Sequence, residues 1–208
     1  MLAMQRPARF TFPIELQLAG GLRLRLRPVR PGDKELLRKG LALFSRRSTY
    51  QRFFTPVVTF SEAHLDYLTD VDGTDHVALG ALDVTAGPEG GVGIARYIRL
   101  EDAPTVAEAA VSVLDAYQSR GIGSLLLAAL TRCAAAGGIE TFRAYVLEDN
   151  HRVLQYLAAL GAERRDRGGG VVEVDLPVMS SLAQIPDGPA TQTARWAWRC
   201  VEQSARAS

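Results

Sequence analysis

The stretch Ala107–Ser124, AEAAVSVLDAYQSRGIGS, narrows the folds open to this chain more than any other. Ala107, Ala109, Val111 and Val113 alternate with Glu108, Ala110 and Ser112, the period-two pattern of a strand with two unlike faces. Asp115, Ala116 and Tyr117 break the alternation. Gln118, Gly121 and Gly123 follow, and Ile122, Leu125, Leu126, Ala129, Leu130 and Cys133 then fall at helical spacing. A strand that stops, a glycine turn and a helix that starts make an anion site. The first helical turn leaves N–H groups without partners, its aligned dipoles favour negative charge, and glycine lets the backbone come close. A phosphate or pyrophosphate is the natural ligand.

The elements on either side set the fold class. Residues 1–12 read as a tail. Ile14, Leu16 and Leu18, the turn Ala19-Gly20-Gly21, and Leu22, Leu24 and Leu26 make a hairpin. Arg23, Arg25 and Arg27 form its wet face; nothing aromatic interleaves them, which favours solvation over phosphate binding. Pro31-Gly32-Asp33 opens a helix with the stripe Leu36, Leu37, Gly40, Leu41 and Phe44. A second helical stretch runs from Ser45 to Phe54. Its aromatics Tyr50, Phe53 and Phe54 are expected in the core, with a substrate channel as the other reading. A third helix, 61–70, is capped by Thr59 or Ser61 and carries His64 on its surface. His76 opens a strand and is expected to be structural.

Strands over 77–84 and 92–100 are joined by a glycine turn at 87–91. After the helix at 121–136 and its Gly137-Gly138 stop come a strand at 139–147 and a short helix. That helix is capped by Asp149 or Asn150 and closed by Gly161. A flexible turn at 165–170 leads to a last strand at 171–178. A linker at 186–189 precedes an amphipathic helix over 191–203. Trp196, Trp198 and Cys200 give it two seats, the body of the domain or a second subunit in a homodimer. The order ββαααβββαβαβ predicts a mixed α/β (α+β) layer on a mostly antiparallel sheet.

Composition excludes several classes. At 208 residues and 47% apolar, the chain can bury one full core, and its net charge of +1 argues against a dedicated nucleic-acid binder. Cys133 and Cys200 stand far apart with no CxxC pair, so neither a disulfide framework nor a zinc site is expected. No apolar run is long enough for a membrane span, and the N-terminal segment lacks signal-peptide features. A cytoplasmic protein is the expectation.

Three glycine loops compete for the phosphate. A P-loop needs a lysine after its last glycine, and none follows Gly123. A dinucleotide fold needs a third glycine where Leu126 stands, opening a parallel βαβ unit; here hairpin strands come first. What remains is Gln118-x-x-Gly121-x-Gly123 after a strand, followed by a βα unit carrying Asn150. This arrangement resembles the GNAT superfamily of N-acetyltransferases over roughly residues 22–178. AEAAVSVLDAYQSRGIG and SRRSTYQRFF look more narrowly like the bacterial protein-lysine acetyltransferases of that superfamily.

The resemblance implies an acetyltransferase domain over 13–178 with a splayed central strand pair, followed by a C-terminal linker and helix over 179–208. It implies acetyl-CoA as cosubstrate, with its pyrophosphate on the amides of Gln118, Ser119, Arg120, Gly121, Ile122, Gly123 and Ser124. Backbone groups of Val111 and Val113 would hold the pantetheine arm and the thioester carbonyl, and Asn150 would also touch the coenzyme. Glu108, ten residues before the motif glutamine, takes the place of the general base. Chemistry asks for one: a lysine amine has a pKa of about 10.4 and arrives protonated. The tyrosine that many such enzymes use to protonate the leaving thiolate is replaced by Leu157, and Tyr156 lies about 100° round the helix. The acceptor implied is a protein lysine, with a small-molecule amine as the alternative. Glu62, Asp66, Asp70, Asp72 and Asp75 are candidates for an acidic rim, or simply a solvated face. A non-catalytic acyl-CoA sensor keeps the cradle without the chemistry, and Leu157 is its main support.

Overall fold

Alternating leucines do build a hairpin at one edge of the sheet: β1 (Ile14–Gln17) pairs antiparallel with β2 (Arg23–Pro28). The computed structural model describes residues 11–85, 90–166 and 168–207. Most of the expected tail and of the 87–91 turn lies outside them; Phe12 packs against the core. Three helices follow: α1 (Lys34–Ala42), α2 (Arg46–Phe53) and α3 (Glu62–Thr69). The Ser45 and Ser61 hydroxyls cap the last two by accepting the N–H groups of Ser48 and His64.

The sheet continues through β3 (His76–Asp83), β4 (Gly90–Leu100) and β5 (Ala103–Val113), each antiparallel to the one before. Helix α4 (Ile122–Ala136) crosses over to β6 (Thr141–Leu147), parallel to β5. Then come α5 (His151–Ala159), β7 (Glu163–Asp166), β8 (Val171–Pro177) and α6 (Gln192–Ala207). The eight strands form one sheet in the order β1-β2-β3-β4-β5-β6-β8-β7. It is the mixed, mostly antiparallel sheet flanked by helices that the pattern predicted.

Strand β7 is a correction. The sequence predicts a flexible turn over Arg165–Gly170, yet Glu163–Asp166 pairs antiparallel with β8 as an edge strand. Its ERRD sequence has no apolar face to announce it. Gly168, Gly169 and Gly170, which lead into β8, all stand at positive φ.

The two faces of the sheet are packed unequally. On one, α4, α5 and α6 close a dry core that includes Leu24, Leu26, Leu79, Tyr97, Leu125, Leu130 and Phe142. Helix α6 takes its seat on the body: Trp198, only 1% exposed, joins that core, and the helix packs against α4 and β1. On the other face α1 buries no residue completely. Helices α1, α2 and α3 instead roof an open cleft over β2–β5.

Two expectations fail on that open face. Arg27 is buried and gives a bidentate pair to Asp33 at 2.7 and 2.8 Å. The hairpin's arginine row is therefore wet only in part, because the strand end runs under the start of α1. Tyr50 and Phe54 are 45% and 39% exposed and stand outside the core, while Phe53 lines the cleft. Helix α2 lies over an opening, so its aromatics have no second layer to bury them.

Candidate functional site

Strands β5 and β6 share only a short parallel ladder, Val106 with Thr141, Ala107 with Phe142 and Glu108 with Arg143. Beyond it β5 stays on β4 to Val113, while β6 follows β8 to Leu147. The two strands part, and the β5 edge from Ala109 to Val113 faces a gap. The direction of its peptide groups follows from alternation. Leu114 donates its N–H to Val92 on β4 at 2.9 Å, so even-numbered groups bond β4. Val111 and Val113 therefore turn their N–H and C=O groups into the gap. Within it, the Val113 carbonyl accepts Gln118 Nε2 at 3.2 Å.

The turn beyond β5 is open on its amide side. A single 3-10 turn, Asp115–Tyr117, ends at Gln118, and the chain then takes left-handed φ values at Ser119 (62°) and Gly121 (82°). The first helical amide to find a carbonyl is Leu125, which donates to Gly121 at 3.0 Å. Among the described residues, no backbone or side-chain acceptor takes the N–H groups of residues 119–124. These amides stand at the positive end of a 15-residue helix, beside the gap. Behind the loop lies Trp196: a Cβ at Gly121 would come within 2.7 Å of its ring. Glycine is required there by both φ and space. Arg152 reaches the loop from α5, donating to Ser119 Oγ at 3.1 Å.

Period two places Glu108 on the same face of β5 as Ser112, which lines the cleft roofed by α1–α3. Glu108 is exposed, at the last rung before the strands part. Across the cleft, Arg52 of α2 feels its charge: burial pushes the guanidinium down and Glu108 partly opposes the shift. Arg96 of β4 also lines the cleft, held by His76 Nε2 and by the Leu68 carbonyl at 2.8 Å. Burial, and then the charge of Arg52, push its pKa down to about 10. His76 is structural, as expected; burial and then the charge of Arg96 hold its imidazole below the ordinary value.

Helix α2 is fixed to the loop itself. Asp115 accepts the Ser45 N–H at 3.1 Å and the Ser45 and Ser48 hydroxyls at 3.0 and 2.8 Å. Gln118 Nε2 also reaches Ser48 Oγ at 3.5 Å. Neither Asp115 nor Arg52 stands out in the sequence. One arginine among many gives no signal, and Asp115 looked only like the end of a strand.

The remaining candidates divide. Asn150 stands at the N-cap position of α5, but its side chain caps nothing and has no partner among the described residues. Leu157 is buried in the core, and the Tyr156 hydroxyl donates to Ser124 Oγ at 2.9 Å on the first turn of α4. The acidic residues proposed as a rim are largely matched by the chain's own groups. Glu62 pairs with Arg38, Asp66 with Lys34 and Asp75 with Arg99, while Asp72 caps the amides of residues 74–76. No helix is long and apolar enough to cross a membrane among the described residues.

Comparison with known proteins gives this geometry its context. Residues 23–163 match the family model of the acetyltransferase (GNAT) domain. Acetyltransferase Pat of Mycolicibacterium smegmatis is 38% identical over 188 residues, 89% of this chain and 56% of that protein. The solved GNAT domain of S. lividans PAT superposes with a TM-score of 0.71 at 29% identity, over 83% of this chain and 99% of that one. A cAMP-binding acyltransferase from Mycobacterium smegmatis gives a TM-score of 0.57 at 34% identity, over 97% of this chain and 58% of that one. The chain thus spans a little over half the length of Pat and of that acyltransferase.

Proposed function

The chain belongs to the GNAT acetyltransferase family, and from that premise we propose that it transfers an acetyl group from acetyl-CoA directly to the ε-amine of a protein lysine. One observation carries the reading: six consecutive amides, residues 119–124, lie without partners among the described residues, beside a parted strand pair whose fork bears a carboxylate. The amides suit the diphosphate of a coenzyme. The Val111 and Val113 peptide groups suit an extended amide-bearing arm laid in as a missing strand, and the Asn150 side-chain amide, unpartnered among the described residues, would add to them.

At the fork, the acceptor amine arrives as an ammonium and must lose its proton before it can attack the thioester carbonyl. Glu108, directly or through one water, takes that proton from the cleft side. An N–H of the β5 edge polarises the carbonyl as charge develops on its oxygen. The thiolate leaves without a side-chain acid, because Leu157 is buried and the Tyr156 hydroxyl is committed to Ser124. A thiol of pKa about 8.5 is a good enough leaving group for water to complete the step.

The test is transfer of label from acetyl-CoA to a panel of proteins and polyamines. Wild type should acetylate protein lysines. Glu108→Gln should lower kcat by about 10²–10⁴-fold while coenzyme affinity stays the same. Tight CoA binding with no acceptor labelled and no effect of Glu108→Gln would replace the enzyme by an acyl-CoA sensor. Labelling of polyamines in preference to proteins would move the acceptor to the small-amine class.

A further inference from the structure

The cleft on the α1–α3 side holds more positive charge than its fold requires. Three arginines line it: Arg27, Arg52 and Arg96. Where one of them is structural, the chain supplies the carboxylate, as Asp33 does for Arg27. Among the described residues, no carboxylate pairs with Arg52 or Arg96. Arg96 is oriented by His76 and the Leu68 carbonyl, both neutral groups. Among the described residues Arg52 makes no hydrogen bond, and its guanidinium rests against the Phe53 ring at 5.0 Å. It feels the charge of Glu108 without forming an ion pair with it.

Two guanidiniums repelling each other in a partly dry cleft are costly unless an anion joins them. The placement of Arg52 is not incidental. It lies one helical turn beyond Ser48, which Asp115 and Gln118 bind to the end of β5. The turn that offers its amides to the coenzyme thus also holds Arg52 over the acceptor's path.

Building on the acetyltransferase reading, we infer that Arg52 and Arg96 form a carboxylate-binding site for the acceptor, selecting an amine that carries a carboxylate nearby. A guanidinium recognises a carboxylate through parallel N–H donors. The cleft is walled by Leu36, Leu41, Phe44 and Phe53, which strengthens such a pair by excluding water. The carboxylate has two sources: an Asp or Glu neighbouring the target lysine in a protein, or the α-carboxylate of a free amino acid.

The experiment measures binding of acceptors to the full chain loaded with CoA, so that no transfer occurs. One arm uses one-lysine peptides with Asp, or Asn in its place, at each position within three residues of the lysine. The other compares lysine with lysinamide. In one arm the carboxylate form should bind about tenfold or more tightly, the range of a charge-assisted pair, and the arm that responds identifies the source. Arg52→Gln should abolish the preference without changing CoA affinity or lowering the melting temperature, and Arg52→Lys should restore part of it. Equal binding of all matched pairs, or a preference that survives Arg52→Gln, overturns the site. Failure of CoA itself to bind would count against the acetyltransferase reading instead. The same pairs would then be compared on the free chain, where the same two outcomes decide the carboxylate site.

Discussion

At the scale of single residues, Gly121 is where backbone and packing demands meet. Its φ of 82° costs an L-residue about 1–2 kcal/mol, and the Trp196 ring fills the space that a Cβ would take. These costs can be separated. Gly121→Ala should lower the unfolding free energy and weaken CoA binding, because the loop must shift to relieve the ring. Combining it with Trp196→Ala should recover the steric part and leave the conformational part. A double-mutant cycle read by urea denaturation checks this, with a coupling of about 0.5–3 kcal/mol for residues in contact. Strict additivity would mean that Trp196 does not support the loop. The sequence already asked for a glycine at this position. The tryptophan seventy-five residues later was legible only as a helix face in search of a seat.

At the scale of elements, the junction of α3, β3 and β4 depends on a neutral histidine. His76 accepts from Arg96 and stacks on Tyr67 at a centroid distance of 5.0 Å. Burial, and then the neighbouring guanidinium, depress its pKa. In the unfolded chain it takes up a proton near pH 6.5, whereas the folded chain resists until the pH is lower. Stability is therefore complete above about pH 6.5 and falls below it, by at most about 1.4 kcal/mol per pH unit, until the folded form is protonated too. Denaturation curves at pH 7.5 and 5.5 should show wild type losing more stability than His76→Gln; equal losses would remove His76 as the cause. Elements were read well wherever an apolar period existed, as in the hairpin, β3–β6 and α4. They were missed where it did not, as in β7. The exposure of the α2 aromatics Tyr50 and Phe54 is not legible in the sequence, because residue type alone does not reveal whether a second layer lies above a helix.

At the scale of the whole molecule, one continuous sheet is dry on the α4–α6 face and open on the α1–α3 face, and the fork between β5 and β6 is where the two sides communicate. On the proposed reading, a coenzyme would enter along the loop and an acceptor through the cleft to meet there, separating the two binding events in space. The splay was implied by family resemblance. Its position at the Glu108–Arg143 rung depends on where β6 leaves β5 for β8, a long-range choice that no local pattern records. Amide exchange followed by NMR tests it residue by residue. Without ligand, Val111, Val113 and residues 119–124 should exchange faster than Ser112 and Leu114, whose amides face β4. Saturating CoA should slow the first group strongly. It should slow the second only by the global stabilisation that ligand binding confers, about 2.7 kcal/mol at a hundredfold excess over Kd. Equal slowing of odd and even amides along β5 would reflect global stabilisation alone, and would put the coenzyme somewhere other than the fork.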